Sequence, residues 1–256
     1  MIGIDLGSRS VKIVQMHGSN TSASQIYDTI WFYRQFGGRG TRSLKIDLDE
    51  LGLDGRDGLV ATGYGKIAVQ VEGAINLPEI QAHVKGAVFQ TRLSDFTLLD
   101  IGGQDTKVVK VRAGRAVDFM TNDRCAASSG RYLENMAAIL DLTLEELSSY
   151  SENPVELNST CAIFGETEII GKIVEGCSLS CLAAGVNNTL YRRCAAMLEK
   201  LESDIIVLSG GVALNSALAK IIRQETSCQV VRLPQPQLNG AIGCCVYGEE
   251  KLVTGG

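Results

Sequence analysis

The sequence predicts an α/β fold built from two comparable lobes. Strand patterns and helix patterns alternate along the chain, which is typical of mixed sheets flanked by helices. The pattern Asp-x-Gly-x-x-x-x-Lys occurs twice, over residues 5–12 and again over residues 100–107. The chain has 256 residues, of which 28 are glycine. This length favours one two-lobed unit over two independent domains.

The two copies of the pattern lie in similar surroundings. Residues 2–16 and residues 98–111 each read as an apolar strand, a glycine turn and an alternating strand, which predicts two β-hairpins. Because each hairpin opens a comparable α/β stretch, a duplication is indicated. We expect a first lobe over 1–95, a second lobe over 96–238, and a C-terminal helix over 239–256 that returns to the first lobe.

Further elements follow from apolar periodicity and turn residues. A strand and glycine turn over 58–69 precede a polar helix that contains His83. The helix over 126–140 is predicted with Tyr132, Met136, Ile139 and Leu140 on one face. The remaining predictions are strands over 115–120, 205–211 and 230–234, and helices after Ser159, over 181–200, from Asn215 and over 239–248.

Composition excludes several classes of partner. The formal net charge is −5 and no long run of Lys or Arg is present, so nucleic acid is not an expected partner. No apolar stretch is long enough to span a membrane, and the start lacks a signal-peptide pattern, so we expect a cytoplasmic protein. The 8 cysteines are then expected to be free thiols or metal ligands rather than disulfides.

Each hairpin offers the chemistry of a phosphate site. Backbone N–H groups of a glycine turn can approach phosphate, and the neighbouring carboxylate can hold Mg²⁺ through water. A simple β-turn explains either copy equally well by itself. The second copy, together with Ser209-Gly210-Gly211 between a buried strand and a helix, favours a nucleotide site. The bare backbone at Gly210 and Gly211 would let an adenine or a ribose lie close.

Two other nucleotide motifs fail on the sequence. The segment from Gly7 to Lys12 lacks the second glycine and the trailing hydroxyl of a P-loop. Residues 63–68 match G-x-G-x-x-A, but no convincing acidic residue follows on a second strand. We therefore interpret residues 63–68 as a turn.

Two cysteines stand at predicted helix starts. Cys125 precedes one helix and Cys161 another. A thiolate there is stabilised by free N–H groups and the helix dipole, and the same field would stabilise an anionic iron–sulfur cluster. Two thiolates are too few for a Cys₄ site, but a two-fold dimer would supply four. On spacing alone, a buried inert cysteine remains the favoured interpretation of each.

The other candidate side chains carry weaker signals. His17 and His83 are isolated, and no Ser-His-Asp arrangement is visible. Glu166 and Glu168 are expected to face solvent. The remaining cysteines are interpreted as structural: Cys177, Cys181, Cys194, Cys228, Cys244 and Cys245.

Seven segments together resemble one family across nearly the whole chain. They are IGIDLGSRSVK, ATGYGK, DIGGQDTKVV, NDRCAASSGRYLENMA, STCAIFGETEII, VLSGGVALN and LPQPQLNGAIG. They are similar to the activator ATPases of 2-hydroxyacyl-CoA dehydratases and to the ATPase subunits of benzoyl-CoA reductase, within the acetate and sugar kinase, Hsp70 and actin superfamily. The resemblance implies a two-lobed actin-like ATPase fold, a duplicated ribonuclease H-like architecture.

The resemblance also implies an ATP-dependent redox function. Expected cofactors are ATP and Mg²⁺ in the cleft between the lobes, and one [4Fe–4S] cluster per homodimer, ligated by Cys125 and Cys161 of each subunit. Hydrolysis would drive one-electron transfer to an iron–sulfur dehydratase or a related low-potential reductase. Ferredoxin or flavodoxin is the expected electron donor.

Site residues follow from the resemblance by position. The first hairpin supplies Asp5, Gly7, Ser8 and Lys12, the second supplies Asp100, Gly102, Gly103, Gln104 and Asp105, and the nucleoside segment supplies Gly210, Gly211 and Asn215. Asp5, Asp100 and Asp105 are expected to hold Mg²⁺ or orient water. Gln104 is expected to position the lytic water, and Lys12 to neutralise charge.

Two departures from the family pattern stand out. Ser128-Ser129 replace the usual Gly-Thr after the first cysteine, and Ser180-Cys181 replace an acidic pair. These changes suggest a divergent branch, for which two partners stay open: a dehydratase, or another low-potential iron–sulfur reductase of the same partner family. Two alternative functions remain at this point: a small-molecule kinase of the same superfamily, and a non-enzymatic ATP-dependent scaffold protein.

Overall fold

The fold is described from a computed structural model, which covers residues 1–37, 43–54, 58–63, 70–122, 129–159 and 162–254. The strands are β1 Ile2–Leu6, β2 Ser10–His17, β3 Asn20–Asp28, β4 Ser43–Leu44, β5 Leu59–Thr62, β6 Gln70–Val71, β7 Ile75–Asn76, β8 Phe96–Ile101, β9 Thr106–Arg112, β10 Arg115–Asn122, β11 Ile205–Ser209 and β12 Gln229–Arg232. The helices are α1 Thr29–Phe36, α2 Glu79–Thr91, α3 Gly130–Ile139, α4 Leu144–Leu147, α5 Ala162–Val174, α6 Leu179–Lys200, α7 Ser216–Thr226 and α8 Asn239–Thr254.

Two five-stranded sheets repeat one arrangement. Their strand orders are β3-β2-β1-β5-β7 and β10-β9-β8-β11-β12. In the first sheet β1 pairs antiparallel with β2 and parallel with β5. In the second sheet β8 lies beside β9 and pairs parallel with β11, which pairs parallel with β12. Both predicted hairpins are therefore present, each next to a parallel strand.

Backbone contacts divide the chain into two compact units. Unit 1 comprises 1–95, 111–117 and 233–256, and unit 2 comprises 96–110 and 118–232. Unit 1 contains two apolar clusters, one on each face of the β1–β2 hairpin. Ile4 belongs to one cluster and Met16 to the other. Unit 2 has one larger cluster that includes Leu99 and Tyr132. Burial of such side chains, at roughly 25 cal/mol per Å² of apolar area, is the main source of stability in each unit.

The C-terminal helix α8 packs in unit 1 against α2 and β1. Small residues permit this close approach, because a Cβ at Gly243 would lie 1.8 Å from the Ala82 carbonyl oxygen. The facing helix α2 is less polar than predicted. Its buried residues are Ala82, His83, Val84, Gly86 and Ala87. The buried face consists mostly of small residues, which do not stand out as apolar in the sequence.

No helix in the described part of the chain is long and apolar enough to cross a membrane. The longest of them, α6, spans 22 residues and carries its charged side chains in its C-terminal part, at Arg192, Arg193, Glu199 and Lys200.

Candidate functional site

The first hairpin holds a buried carboxylate beside a lysine. Asp5, near the end of β1, is only 3% exposed. Lys12 is its cross-strand partner on β2, and the lysine Nζ lies 3.4 Å from Asp5 Oδ2. Ser8 lies in the turn that follows Gly7. A Cβ at Gly7 would lie 2.7 Å from the Ser10 backbone carbonyl oxygen, so the close approach of the turn favours glycine there.

The second hairpin repeats this arrangement with an additional carboxylate. Asp100 is 2% exposed, and Lys107 Nζ lies 3.9 Å from its Oδ2. The same Nζ lies 2.5 Å from Asp105 Oδ2. A Cβ at Gly102 would lie 2.6 Å from Asp105 Oδ1, so a larger residue would displace that carboxylate from its present position. Gln104, the predicted water-positioning residue, lies exposed in the same turn.

The repeat extends to a third strand in each unit, which the sequence analysis did not recognise. Asp5 is in register with Thr62 at the end of β5, and Asp100 with Ser209 at the end of β11. Each hydroxyl residue precedes a glycine of positive φ, 109° at Gly63 and 81° at Gly210. The predicted turn after residue 62 and the predicted nucleoside segment are thus equivalent positions of the duplicated fold.

The two hydroxyl groups differ in their partners. Thr62 Oγ1 donates to the Leu77 carbonyl at 2.9 Å, and the residue is fully buried. Ser209 is 1% exposed, yet its Oγ has no hydrogen-bond partner in the described part of the chain. A buried hydroxyl without a hydrogen-bond partner lowers the stability of the fold by about 1–3 kcal/mol. Such groups are rare in folded proteins, so a functional role for Ser209 is indicated.

Asn215 follows the Gly210-Gly211 segment and caps α7. Its Oδ1 accepts from the Leu218 N–H at 2.9 Å, and its Nδ2 donates to Asn187 Oδ1 at 2.8 Å. Asn187 in turn donates to the Leu147 and Tyr150 carbonyls, both at 2.8 Å. The predicted nucleoside contact of Asn215 stays a prediction, while its capping role is evident from these bonds.

Buried groups from α2 and α8 surround Asp5 in a way that the sequence did not reveal. A Cβ at Gly240 would lie 3.0 Å from Asp5 Oδ2 and 3.1 Å from His83 Nε2. His83 is therefore not isolated. Glu79 Oε1 also lies 4.0 Å from His83 Nε2, and Asn239 Nδ2 donates to the His83 carbonyl at 2.9 Å.

The start of α3 is bonded directly to the turn of the second hairpin. The Gly130 N–H donates to the Gly102 carbonyl at 2.9 Å and the Arg131 N–H to the Gly103 carbonyl at 3.0 Å. Ser129 Oγ also donates to the Gly103 carbonyl, at 2.9 Å. Ser129 is one of the residues that depart from the family pattern. Three hydrogen bonds thus join the hairpin turn to the helix that follows Cys125.

Both predicted cluster ligands, Cys125 and Cys161, lie outside the described residues. The segment before Cys161 is firmly held, because Glu168 accepts from the backbone N–H groups of Asn158 and Ser159 at 2.7 and 2.8 Å. Partial burial by itself would raise the pKa of Glu168, but these hydrogen bonds lower it overall. Glu168 is partly exposed, and its carboxylate also anchors this segment, a role that the sequence did not predict. Glu166 is exposed as expected.

Arg193 on α6 connects the flanks of the two cysteines. It donates to the Ser159 carbonyl at 2.8 Å, and its guanidinium lies 4.2 Å from the ring centroid of Tyr132 on α3. A stacked arginine of this kind contributes about 0.5–2 kcal/mol. The helix that follows Cys125 and the segment that precedes Cys161 are therefore packed on one shared side chain.

Three of the cysteines that the structure describes, Cys194, Cys228 and Cys245, have the surroundings of structural thiols. Burial raises the pKa of Cys194 and of Cys245 to about 12, so both stay protonated at neutral pH. Cys228 Sγ donates to the Ser203 carbonyl at 3.3 Å. Within the described ranges, no group of three or more His, Cys, Asp or Glu side chains is arranged to hold a metal ion.

Two duplicated sheets, each with a buried carboxylate and a lysine at a glycine turn, define the class of actin-like ATPases. The chain belongs to the BadF/BadG/BcrA/BcrD ATPase family, which it matches over residues 2–248. It is 32% identical over 262 residues to the 2-hydroxyisocaproyl-CoA dehydratase activator of Clostridioides difficile, with 96% of this chain and 93% of that protein covered. It is also 32% identical over 262 residues to the activator of lactoyl-CoA dehydratase of Anaerotignum propionicum, covering 97% of each.

A solved structure confirms the predicted fold class. The activator of the 2-hydroxyisocaproyl-CoA dehydratase from Clostridium difficile, with bound ADPNP, superposes with a TM-score of 0.85 at 28% sequence identity. The match covers 100% of this chain and 96% of the other. The resemblance on which the sequence prediction depended is therefore confirmed, and so is the ATPase class of the chain.

Proposed function

We propose that this protein is an ATP-driven reductive activator. It hydrolyses ATP and passes one electron to a partner iron–sulfur enzyme, a 2-hydroxyacyl-CoA dehydratase or a related low-potential reductase. The observation that carries this proposal is the set of hydrogen bonds between the turn at Gly102–Gly103 and the start of α3. A phosphate hairpin joined directly to a cysteine-bearing segment is a means of coupling nucleotide state to redox chemistry.

The residues present fit Mg²⁺ and a nucleoside triphosphate. The glycines of both turns carry no side chain, so the backbone there can approach phosphate oxygens closely. Asp5 and Asp100 are the carboxylates suited to hydrated Mg²⁺, and Lys12 and Lys107 supply positive charge beside them. Asp105 and Gln104, in the second turn, are the candidates for orienting the attacking water. Gly210 lets the chain pass close to the nucleoside.

The proposed cluster ligands are the thiolates of Cys125 and Cys161 from each of two subunits. Cysteine thiolate is the donor that holds iron–sulfur clusters, and two such residues per chain make a four-thiolate set only in a dimer. When bound, a [4Fe–4S] cluster supplies a one-electron carrier. We propose ferredoxin or flavodoxin as the source of that electron, and the cytoplasm as the compartment.

A homodimer is supported by the exposed face of α5. This helix begins directly after Cys161 and presents Ile170, Ile173 and Val174 at 54%, 53% and 84% exposure. Exposed branched apolar side chains clustered on one helix mark an interaction surface. A contact between two copies of α5 would bring both Cys161 residues to the same axis.

The chain itself provides the path from nucleotide to cysteine. A change in the turn at Gly102–Gly103 on hydrolysis is carried to α3, since Ser129, Gly130 and Arg131 are bonded to its carbonyls. Tyr132, on the same helix, carries the change to Arg193 and hence to the backbone at Ser159. Both cysteine segments thereby respond to one hairpin.

Anaerobic purification tests the proposal against the kinase and the scaffold protein. We expect a brown protein with about four iron and four sulfide per two chains, which hydrolyses ATP without phosphorylating a small molecule. A colourless ATPase that phosphorylates an added acceptor would instead establish the kinase. A colourless protein that only polymerises with ATP would establish the scaffold protein.

A further inference from the structure

Ser209 is a buried polar side chain with no part in the proposed transfer of the electron. It ends β11 and is in register with Asp100 on the parallel strand β8. Residues paired in parallel strands about 4.8 Å apart point their side chains to the same face of the sheet. The hydroxyl of Ser209 is therefore a neighbour of the Asp100 carboxylate. It is 1% exposed and makes no hydrogen bond within the described residues.

The equivalent position in unit 1 shows that such a hydroxyl can be satisfied by the fold. Thr62 is in register with Asp5, and its Oγ1 donates to the Leu77 carbonyl at 2.9 Å. In unit 2 the Ser209 hydroxyl makes no corresponding hydrogen bond within the described part of the chain. A buried hydroxyl that makes no hydrogen bond destabilises the protein. A functional reason for the hydroxyl is therefore expected, such as an acceptor that it reaches only when nucleotide is bound.

We propose that Ser209 is a positioning residue of the nucleotide site, whose hydroxyl donates to the Asp100 carboxylate in the ATP-bound protein. This inference rests on the proposed ATPase function. A hydroxyl donor to an ionised carboxylate makes a shorter and stronger hydrogen bond than a neutral pair. Rotation about one side-chain bond is sufficient to bring the serine hydroxyl toward its neighbour. The bond would fix the orientation of the carboxylate that receives hydrated Mg²⁺.

The geometry also explains why the two hairpins are not interchangeable. In unit 1 the hydroxyl is committed to the Leu77 carbonyl, whereas in unit 2 it is available to the carboxylate. Lys107 is drawn toward Asp105, at 2.5 Å, and lies farther from Asp100, at 3.9 Å. Asp100 thus gains a second orienting donor on the side away from its hairpin.

The test combines a stability measurement with kinetics on the full-length, cluster-containing protein. Ser209→Ala removes a hydroxyl that has no partner without nucleotide, so the Tm of the nucleotide-free protein should be unchanged or higher. The kcat of ATP hydrolysis should fall at least about tenfold, with KM for ATP changed less than about threefold. Ser209→Thr keeps the hydroxyl and should recover most of the kcat.

The matched variant is Thr62→Val, which removes the equivalent hydroxyl from unit 1. It should lower the Tm of the nucleotide-free protein, because the Leu77 carbonyl then loses its donor. A Ser209→Ala protein with lower Tm and wild-type kcat would overturn the proposal and make the hydroxyl structural. If wild-type protein does not hydrolyse ATP at all, the proposed function fails together with this inference. Normal hydrolysis by both wild type and Ser209→Ala overturns this inference alone.

Discussion

The two hairpins have the same motif and different neighbours. Beside the first, Gly240 of α8 lies next to both Asp5 and His83 of α2, so the packing of α8 and α2 contributes to the surroundings of Asp5. Around the second, the carbonyls of Gly102 and Gly103 accept hydrogen bonds from the start of α3. In the part of the chain that the structure describes, the second hairpin is hydrogen-bonded to the start of the helix that follows Cys125, whereas the first packs against α8.

This difference separates two tasks. Both hairpins provide a carboxylate and a lysine, so both are expected to serve hydrolysis. We propose that transmission to the cysteines belongs to the second hairpin, because its turn and α3 share three hydrogen bonds. Each such bond contributes about 0.5–1.5 kcal/mol, so the set is strong enough to make the turn and the helix start move together.

The largest expected effect comes from replacing the proposed cluster ligands, Cys125 and Cys161. Cys125→Ser or Cys161→Ser should abolish iron binding and the brown colour, because two remaining thiolates cannot complete a Cys₄ shell. Iron content and the visible spectrum of anaerobically purified protein measure this. Cys228→Ser is the matched control and should keep its iron. Full iron content in both variants would contradict the assignment of Cys125 and Cys161 as cluster ligands.

The next effect tests the task that both hairpins share. Asp5→Asn and Asp100→Asn should each lower ATP turnover at least about tenfold, which corresponds to about 1.4 kcal/mol of transition-state stabilisation. Far-UV circular dichroism checks that the variants remain folded. If both variants hydrolyse ATP at the wild-type rate, the two glycine turns are structural and neither hairpin serves hydrolysis.

A smaller effect should appear when transmission alone is weakened. Ser129→Ala removes the side-chain bond to the Gly103 carbonyl and leaves the two backbone bonds intact. ATP turnover should change less than about threefold, while the nucleotide effect on iron release to a chelator should shrink. Ser22→Ala, which removes a hydroxyl bond to the Gln15 carbonyl at 3.1 Å in unit 1, is the control. An equal loss in both variants would show that Ser129 has no special part in coupling.

The sequence predicted the parts of the site that depend on local pattern. The two hairpins, the Gly210 turn and the helices that follow are encoded by periodicity and by glycine at fixed positions, and the family assignment is confirmed. The contacts that connect these parts were not predictable. Ser129 and Gly103 are 26 residues apart, and Gly240 approaches Asp5 from the far end of the chain. Such pairs are set by packing, which no local pattern reports.

Glu168 and Asn215 illustrate the same limit. A glutamate one turn into a helix reads as solvent-facing, yet Glu168 reaches back to the N–H groups of Asn158 and Ser159. Asn215 reads as part of a nucleoside segment, and its amide is engaged as a helix cap and with Asn187. In both cases a polar side chain satisfies the backbone of a neighbouring segment that the sequence could not place beside it.

The central claim is that nucleotide state and redox state are coupled through the second hairpin. The most direct measurement is the rate at which a chelator removes iron from the isolated protein, with and without a Mg–nucleotide mimic of the hydrolysis transition state. The midpoint potential should be followed in parallel, because any preference of nucleotide for one redox state must appear as an equal shift of the electron's affinity. We expect saturating nucleotide to change the chelation rate or the potential, and the change to be smaller in Asp100→Asn. Identical rates and potentials with and without nucleotide would contradict coupling within this protein.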